Sequence, residues 1–411
     1  MKTTVRTLNC AYFNARSLNN KLENLHNLLQ YGNHDIILIT ETWLNSSTPD
    51  SLLLNGNGYK VFRHDRDGKG GGSLILVHND IHSVQIRSEI PDDLQNTEFT
   101  CVDVSAPSNH VKIRFLCIYH PPCASSNIVK TKSMCNLISN FLLTCDSACI
   151  ITGDFNLPRI DWSIPTSFGD ACHDFFVETC FVNALTQLVT DNTRLNNLLD
   201  LILTNNKKIV YNVETAAPFT STCDHSTILF NCNLMNSKHR ELSSIRNFYK
   251  ADYISINNDL LNVNWHMLAK QNPDVESFWQ AICKVLNISI ASHVPSFCNK
   301  KKPVQPLAIR KLASKKRTLY RLYKRTHNLS VLINYKNCSR LYDAEITKNC
   351  IAREKDIVDN SNLTQFYSYV NSKFNCLNSV APLVRPDGSL CTDDCEKSSL
   401  LNHFFFFSVC L

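Results

Sequence analysis

From Leu8 onward, short apolar runs alternate with longer amphipathic stretches. The runs are Leu8 to Phe13, Ile36 to Ile39, Ser73 to Val77, Phe99 to Val104, Lys112 to Tyr119, Ala148 to Thr152, Leu199 to Leu203 and Thr227 to Cys232. Runs of this length, rich in Val, Ile and aromatic residues, predict strands. Leu18 to Leu29, apolar at Leu18, Leu22, Leu25, Leu28 and Leu29, predicts a helix, as does Ile128 to Leu143. Many strands with few helices favour an α/β sandwich of two sheets over a doubly wound parallel sheet. This first domain is expected to cover residues 1–235.

Beyond it, Arg246 to about Val294 reads as helical, with Tyr253, Ile256, Leu260 and Leu261, then Phe278, Ile282, Val285 and Leu286, at near-helical spacing. Residues 236–298 are therefore a helical connector. Pro295, Pro303 and Pro306 interrupt the pattern. Residues 299–360 resume as a basic helical segment with an apolar stripe at Leu312, Leu319, Leu322 and Tyr323. Residues 361–411 form a last region, in which Val384 to Ser389 is a turn signal and His403 to Phe407 ends the chain on apolar residues, as if cut short.

The chain has 411 residues, 44% hydrophobic and 19% charged, which suffices for a sizeable core and excludes disorder along its length. No run approaches the roughly 18 apolar residues of a membrane span, and Met1 to Ala15 has no apolar core of a leader, so no membrane role and no secretion are expected. Nineteen cysteines with no leader and no CxxC pair read as reduced thiols rather than a disulfide framework or a zinc site. The net charge of +6 is uneven: residues 1–240 hold 19 basic against 22 acidic residues, the remainder 23 against 14. Lys300 to His327 carries eleven basic residues and no acidic one. Such a block suits a polyanion, with Lys315, Lys316, Arg317, Arg321, Lys324 and Arg325 as candidate contacts and Tyr320 and Tyr323 as stacking surface; a solvated helix face is the plainer alternative.

Candidate chemistry sits where the apolar runs stop. Asn14 and Glu41 each follow one; a carboxylate at a strand end suits a hard divalent cation, and a nearby amide can add a ligand or fix the carboxylate. Ile150 to Asn156 is a buried-type strand ending Gly153-Asp154-Phe155-Asn156, where Asp154 can activate a water and Asn156 can reach phosphate oxygens. His225, after Cys223-Asp224, can move a proton or stabilise a phosphate, with Asp200 fixing its tautomer. Tyr119 can aim a phenol at the same place. Polar groups at the ends of at least five strands suit metal-assisted hydrolysis of a phosphodiester.

Six ordered strings carry a resemblance: Asn14-Ala15-Arg16-Ser17, Glu41-Thr42-Trp43, Tyr119-His120-Pro121-Pro122, Gly153-Asp154-Phe155-Asn156, Asp200 with its apolar run, and Asp224-His225. Together they resemble the endonuclease/exonuclease/phosphatase superfamily, in the form found in jockey-like non-LTR retrotransposon polyproteins. The resemblance implies a four-layer α/β sandwich (DNase I-like) and a Mg²⁺ (or Mn²⁺) dependent nick in DNA that leaves a 3′-hydroxyl. It makes Glu41 the main metal carboxylate with Asn14 beside it and Asp224 near the metal. Asp154 then activates water, Asn156 and Tyr119 contact the scissile phosphate, and His225 with Asp200 stabilises the transition state.

Two departures bear on this. Cys223 stands where the family usually has Ser, a weaker donor. Gly70-Gly71-Gly72 lacks the Gly-Lys-Ser/Thr of a nucleotide loop. Arg246 to Tyr253 and the helix around Lys315-Lys316-Arg317 resemble the connector that precedes reverse transcriptase in such polyproteins, which implies that residues 361–411 are the start of a truncated reverse-transcriptase region. No aromatic-Ala-Asp-Asp core exists here, since Asp92-Asp93 and Asp393-Asp394 lack its flanks, so polymerase activity is not expected. DNA is the expected substrate, element RNA a second partner of the basic segment, and the nucleus the place of action, inferred from the substrate. A phosphoinositide or phosphomonoester phosphatase of the same fold, and an inactive nucleic-acid-binding remnant, stay open as alternatives.

Overall fold

In the computed structural model the residues described are 4–66, 70–86, 97–105, 112–122, 128–145, 147–164, 166–236, 245–246, 248–297, 304–360, 363–374, 383–384, 390–391 and 397–401. The apolar runs become the inner strands of two six-stranded sheets. In chain order these are β1 (Thr4–Asn14), β2 (Ile36–Thr40), β3 (Tyr59–His64), β4 (Ser73–His78), β5 (His82–Gln85), β6 (Glu98–Ser105), β7 (Lys112–Tyr119) and β8 (Ala148–Asp154). A small hairpin, β9 (Ile160–Asp161) with β10 (Thr166–Ser167), precedes β11 (Thr186–Gln187), β12 (Asp200–Thr204), β13 (Val210–Ala216) and β14 (Thr227–Asn236). The helices among them are α1 (Leu22–Tyr31), α2 (Asp50–Leu54), α3 (Ile128–Leu143) and α4 (Ala171–Val182).

One sheet runs β13-β14-β1-β2-β4-β3 and the other β11-β12-β8-β7-β6-β5. The pairs β1/β2 and β7/β8 are parallel, and the other neighbours antiparallel. Between the sheets lie Leu8, Tyr12, Ile36, Leu38, Ile75 and Phe230 against Val102, Phe115, Ile150 and Ile202. Phe13, Ile37, Ile39 and Leu76 cover the outer face of the first sheet with Leu25 and Leu29 of α1 and Leu53 of α2. Leu116, Ile118, Ile151 and Leu203 do the same for the second with Met134 and Ile138 of α3 and Phe176 of α4. The four layers are thus helix, sheet, sheet, helix. Strands buried on both faces need apolar side chains at every position, which explains why Ile36–Thr40 reads as an unbroken run. Each large side chain so buried contributes about 1.5–3 kcal/mol.

The strands the sequence leaves unread are the half-buried edge strands β3, β5 and β13 and the two-residue β9, β10 and β11. Helix α4 also went unpredicted. It starts at Asp170, whose carboxylate accepts from the Cys172 amide. Helix α1 begins at Leu22 rather than Leu18, because Lys21 folds back onto the carbonyls before it.

Two compact units divide the chain: Met1–Ser237 with Val304–Leu411, and Lys238–Pro303. The second holds α5 (Tyr253–Leu261), α6 (Trp265–Gln271) and α7 (Val275–His293), started by Asp252, Asn264 and Asp274, whose side chains accept from amides of the first turn. In the first unit α8 (Leu307–Thr326) and α9 (Leu329–Asn360) pack together, α9 packs on α1, and α10 (Leu363–Phe374) reaches α2. The basic segment packs against the sandwich through α1 and β13. Lys300 to Lys302, residues 385–389 and 403–407, Asp92-Asp93 and Asp393-Asp394 lie outside the described residues. Among the described residues no helix is long and apolar enough to cross a membrane, and the cysteines are free thiols, most of them buried.

Candidate active site

The parallel pairs β1/β2 and β7/β8 place Asn14 beside Thr40 and Tyr119 beside Asp154. Antiparallel pairing of β12 with β8 sets Asp200 opposite Asp154. Gly153 permits the approach: a Cβ there would collide with the backbone carbonyl of Ile118. Polar side chains from five strand ends or the loops just beyond them thereby reach one place. The backbone turns sharply where they do so: Arg16, Ser17, Glu41, Trp43 and Asn156 take φ of 44°, 77°, 50°, 54° and 49°. A left-handed conformation at a non-glycine residue costs on the order of 1–3 kcal/mol and persists only where surroundings enforce it.

Asn14 lies at the centre. Its Nδ2 donates to Glu41 Oε1 (3.0 Å) and to Asp154 Oδ2 (2.9 Å), while its Oδ1 accepts from the Arg16 amide at 3.0 Å. Asp154 Oδ1 accepts from the Asn156 amide at 3.2 Å. Asn156 Nδ2 donates to the His120 carbonyl at 2.9 Å, and the His120 amide donates to the Asp154 carbonyl at 2.8 Å, tying the two loops together. His225 Nδ1 lies 2.7 Å from Asp200 Oδ2, and its Nε2 lies 3.9 Å from Asp154 Oδ2. With Nδ1 donating to the carboxylate, Nε2 is turned toward Asp154.

Electrostatics follow from burial. Asp154 is 1% exposed; burial first, then the charges of Asp200 and Glu41, push its carboxyl well above the usual range. Burial opposes the His225 imidazolium, but the charge and hydrogen bond of Asp200, with the charge of Asp154, overcome it and push the imidazole up to about 9. Burial, aided by Glu41, Asp154 and Glu98, also raises the Tyr119 phenol, so it stays protonated as a donor.

Two carboxylates facing one imidazole, with Glu41 joined to Asp154 through Asn14, fit a hard divalent cation, which would offset the crowding that raises Asp154. Asp154, Asp200 and His225 offer atoms within 4.8 Å of one another. Asp200 is nevertheless a poor ligand, because Tyr12 donates to Oδ1 at 2.7 Å and His225 occupies Oδ2. Asn14 turns its NH2 to Glu41 and Asp154 and its Oδ1 to the Arg16 amide, so here it fixes the two carboxylates and does not offer an oxygen to an ion.

The expected residues are thus gathered in part. Asn14, Glu41, Tyr119, Asp154, Asn156, Asp200 and His225 converge. Asp224 does not join them: its carboxylate is 2.8 Å from Arg194 Nη2 at the surface. On α8 the expectation fails for Lys316 and Tyr320. Both are 6% exposed, because that helix turns this stripe to the sandwich. Lys324 Nζ is likewise engaged by the Asn192 carbonyl at 2.8 Å, whereas Lys315, Arg317, Arg321 and Arg325 are exposed.

Supporting residues went unread in the sequence. Tyr12, two positions before Asn14 and so on the same strand face, was available to that pattern. Thr193 Oγ1 accepts from the amides of Leu199 and Asp200 at 3.1 Å. Arg66 bonds Glu98 and stands 5.9 Å from the Tyr119 ring, and Glu98 Oε2 accepts from the Gly72 amide at 2.5 Å. The glycine run is therefore a tight passage beside Glu98, where a Cβ on Gly71 would collide with the Glu98 carboxylate. Lys21 Nζ donates to the carbonyls of Ala15, Arg16 and Ser17 at 2.7–2.9 Å, and Cys223 Sγ donates to Ala15 O at 3.3 Å.

Among solved structures the chain is similar to the endonuclease domain of TRAS1, a telomere-specific non-LTR retrotransposon, at 16% identity and TM-score 0.43, over 55% of this chain and 98% of that one. It is similar as well to the AP endonuclease LMAP from Leishmania major (15%, TM-score 0.46, 55% and 88%). A third is the 3′-5′ exonuclease NExo from Neisseria meningitidis (15%, TM-score 0.43, 54% and 98%). No curated protein matches the chain. The family described as endonuclease/exonuclease/phosphatase matches residues 7–221, more than half of the sequence. With two mixed sheets sandwiched between helices and a carboxylate-rich site at their strand ends, this chain belongs to the endonuclease/exonuclease/phosphatase family.

Proposed function

We infer that the chain is a divalent-metal-dependent endonuclease that nicks DNA to leave a 3′-hydroxyl, the nuclease module of a jockey-like non-LTR retrotransposon polyprotein. The observation that carries this reading is the hydrogen-bonded array from Glu41 through Asn14 to Asp154, with the Asp200–His225 pair beside it. The six ordered strings and the exposed basic residues of α8 support DNA rather than a small phosphoester as substrate.

Glu41, its carboxylate fixed by Asn14, would hold Mg²⁺ or Mn²⁺ with Asp154 beside it, and the bound ion would screen the phosphate charge. The remaining steps belong to side chains of this chain. Asp154, whose raised carboxyl suits a base working near neutral pH, takes a proton from a water as its oxygen attacks phosphorus. The bond from phosphorus to O3′ breaks, and the leaving O3′ takes a proton from solvent water, giving a 3′-hydroxyl and a 5′-phosphate. His225, kept an imidazolium by the Asp200 carboxylate at its Nδ1, donates from Nε2 to a non-bridging phosphate oxygen. Tyr119 and the second amide proton of Asn156 add donors.

The test is relaxation of supercoiled plasmid by the full chain with Mg²⁺, beside Glu41→Gln and His225→Gln. Open circles from the parent alone, ending in an extendable 3′-hydroxyl, support the reading. Intact plasmid with phosphate released from inositol phosphates would overturn it.

A further inference from the structure

His225 sits on a loop, residues 217–226, between β13 and β14. Much of what anchors that loop comes from far along the chain. Lys316, Tyr320 and Lys324 are four residues apart and so form one stripe of α8. Lys316 Nζ donates to the carbonyls of Pro218 (3.0 Å) and Phe219 (3.3 Å). The Tyr320 hydroxyl is 2.6 Å from Ser226 Oγ, next to the histidine. From α9, Asp343 Oδ2 accepts from the Ser221 amide at 2.7 Å.

The same stripe reaches the other half of the Asp200–His225 pair. The Ser226 amide donates to the Thr193 carbonyl at 2.7 Å, and Thr193 Oγ1 accepts from the Asp200 amide. Lys324 holds the Asn192 carbonyl beside it. An ammonium buried at this depth is costly unless bonded, and both bonds of Lys316 go to the histidine loop.

We propose that the α8–α9 hairpin is a brace for the active site, in which Lys316, Tyr320 and Asp343 are positioning residues that hold the His225 loop against the Asp200 strand. The inference rests on the nuclease reading for its consequence in catalysis. The contact itself can be tested without it. A displacement of about 1 Å in a reacting group can cost on the order of 100-fold in rate, so loosening the loop should slow the chemical step while leaving DNA affinity alone.

The experiment uses the full chain with Tyr320→Phe/Asp343→Ala, which removes two bonds to the loop and keeps the Tyr320 ring on Tyr335. Tyr335→Phe serves as control, since it loses a hydroxyl on the same hairpin. Amide hydrogen exchange over residues 219–226 should quicken about tenfold in the double variant and not in the control. Plasmid nicking should lose about tenfold in kcat with KM unchanged. Unchanged exchange, or unchanged kcat in an active parent, overturns the brace. If the parent does not cut DNA, the nuclease reading fails, and faster exchange in the double variant alone still supports the hairpin as the loop's anchor.

Discussion

Acid should destabilise this protein through one histidine beside the site. His120 is 2% exposed; its Nδ1 donates to the Phe155 carbonyl at 3.0 Å and its Nε2 accepts from Thr131 Oγ1 at 3.3 Å. Burial lowers its imidazole to about 4, with the Phe155 carbonyl opposing and Lys130 and His173 adding smaller pushes. The free residue titrates near 6.5, so between these values the unfolded chain binds the proton and the folded one does not. Stability from this group is therefore full at neutral pH, falls as pH drops through 6.5, and stops falling near 4. Linkage makes the loss about 2.5 kcal/mol by about pH 4.5, and about 3.4 kcal/mol in full. The same residue joins Asp154 to Asn156 through its amide and carbonyl, so the site should loosen first. Urea unfolding at about pH 7.5 and about pH 4.5, for the parent and His120→Gln, isolates the effect, because all other groups titrate alike in both. The parent should lose about 2.5 kcal/mol more than the variant over that interval. Equal losses would show that His120 is protonated in the folded state and refute the reasoning.

Other substitutions address the site and its supports. Asp154→Asn should abolish hydrolysis yet leave urea stability in the ion-free protein unchanged or higher by about 1–2 kcal/mol, since it removes a buried, crowded carboxylate; a loss above about 2 kcal/mol would mean the carboxylate is net stabilising. Gly153→Ala should cost on the order of 4 kcal/mol, because the new methyl meets the Ile118 carbonyl, and wild-type thermal stability would contradict that packing. Replacing Arg317, Arg321 and Arg325 with Ala should weaken DNA binding and flatten its salt dependence by up to about 2.7 in log–log slope, read by fluorescence anisotropy; an unaltered slope would show that this helix face does not meet phosphate.

What could be read from the chain beforehand divides along burial. Strands covered on both faces announce themselves as apolar runs, and a polar residue at the end of several of them marks the site, as with Asn14 closing β1 and Asp154 closing β8. Half-buried strands such as Tyr59–His64 mix polar and apolar residues and pass for loops. Sequence also hides which polar residues meet. Lys316, Tyr320 and Lys324 have the spacing and charge of a solvated, DNA-facing stripe, and nothing near them in the chain reveals the carbonyls of Pro218, Phe219 and Asn192 beneath. Asp224 next to His225 looks like a second acid of the site until Arg194, thirty residues earlier, takes its charge.

The central claim is that Glu41, Asp154 and His225 act together on a DNA phosphodiester with a divalent ion. Its most direct measurement is the conversion of supercoiled plasmid by the full chain, with Mg²⁺ and with chelator, alongside Asp154→Asn. Nicked circles that a polymerase can extend, formed only by the parent and only with the ion, are the predicted result. Nicking that survives chelation or the loss of Asp154, or no nicking by a folded parent, would contradict it.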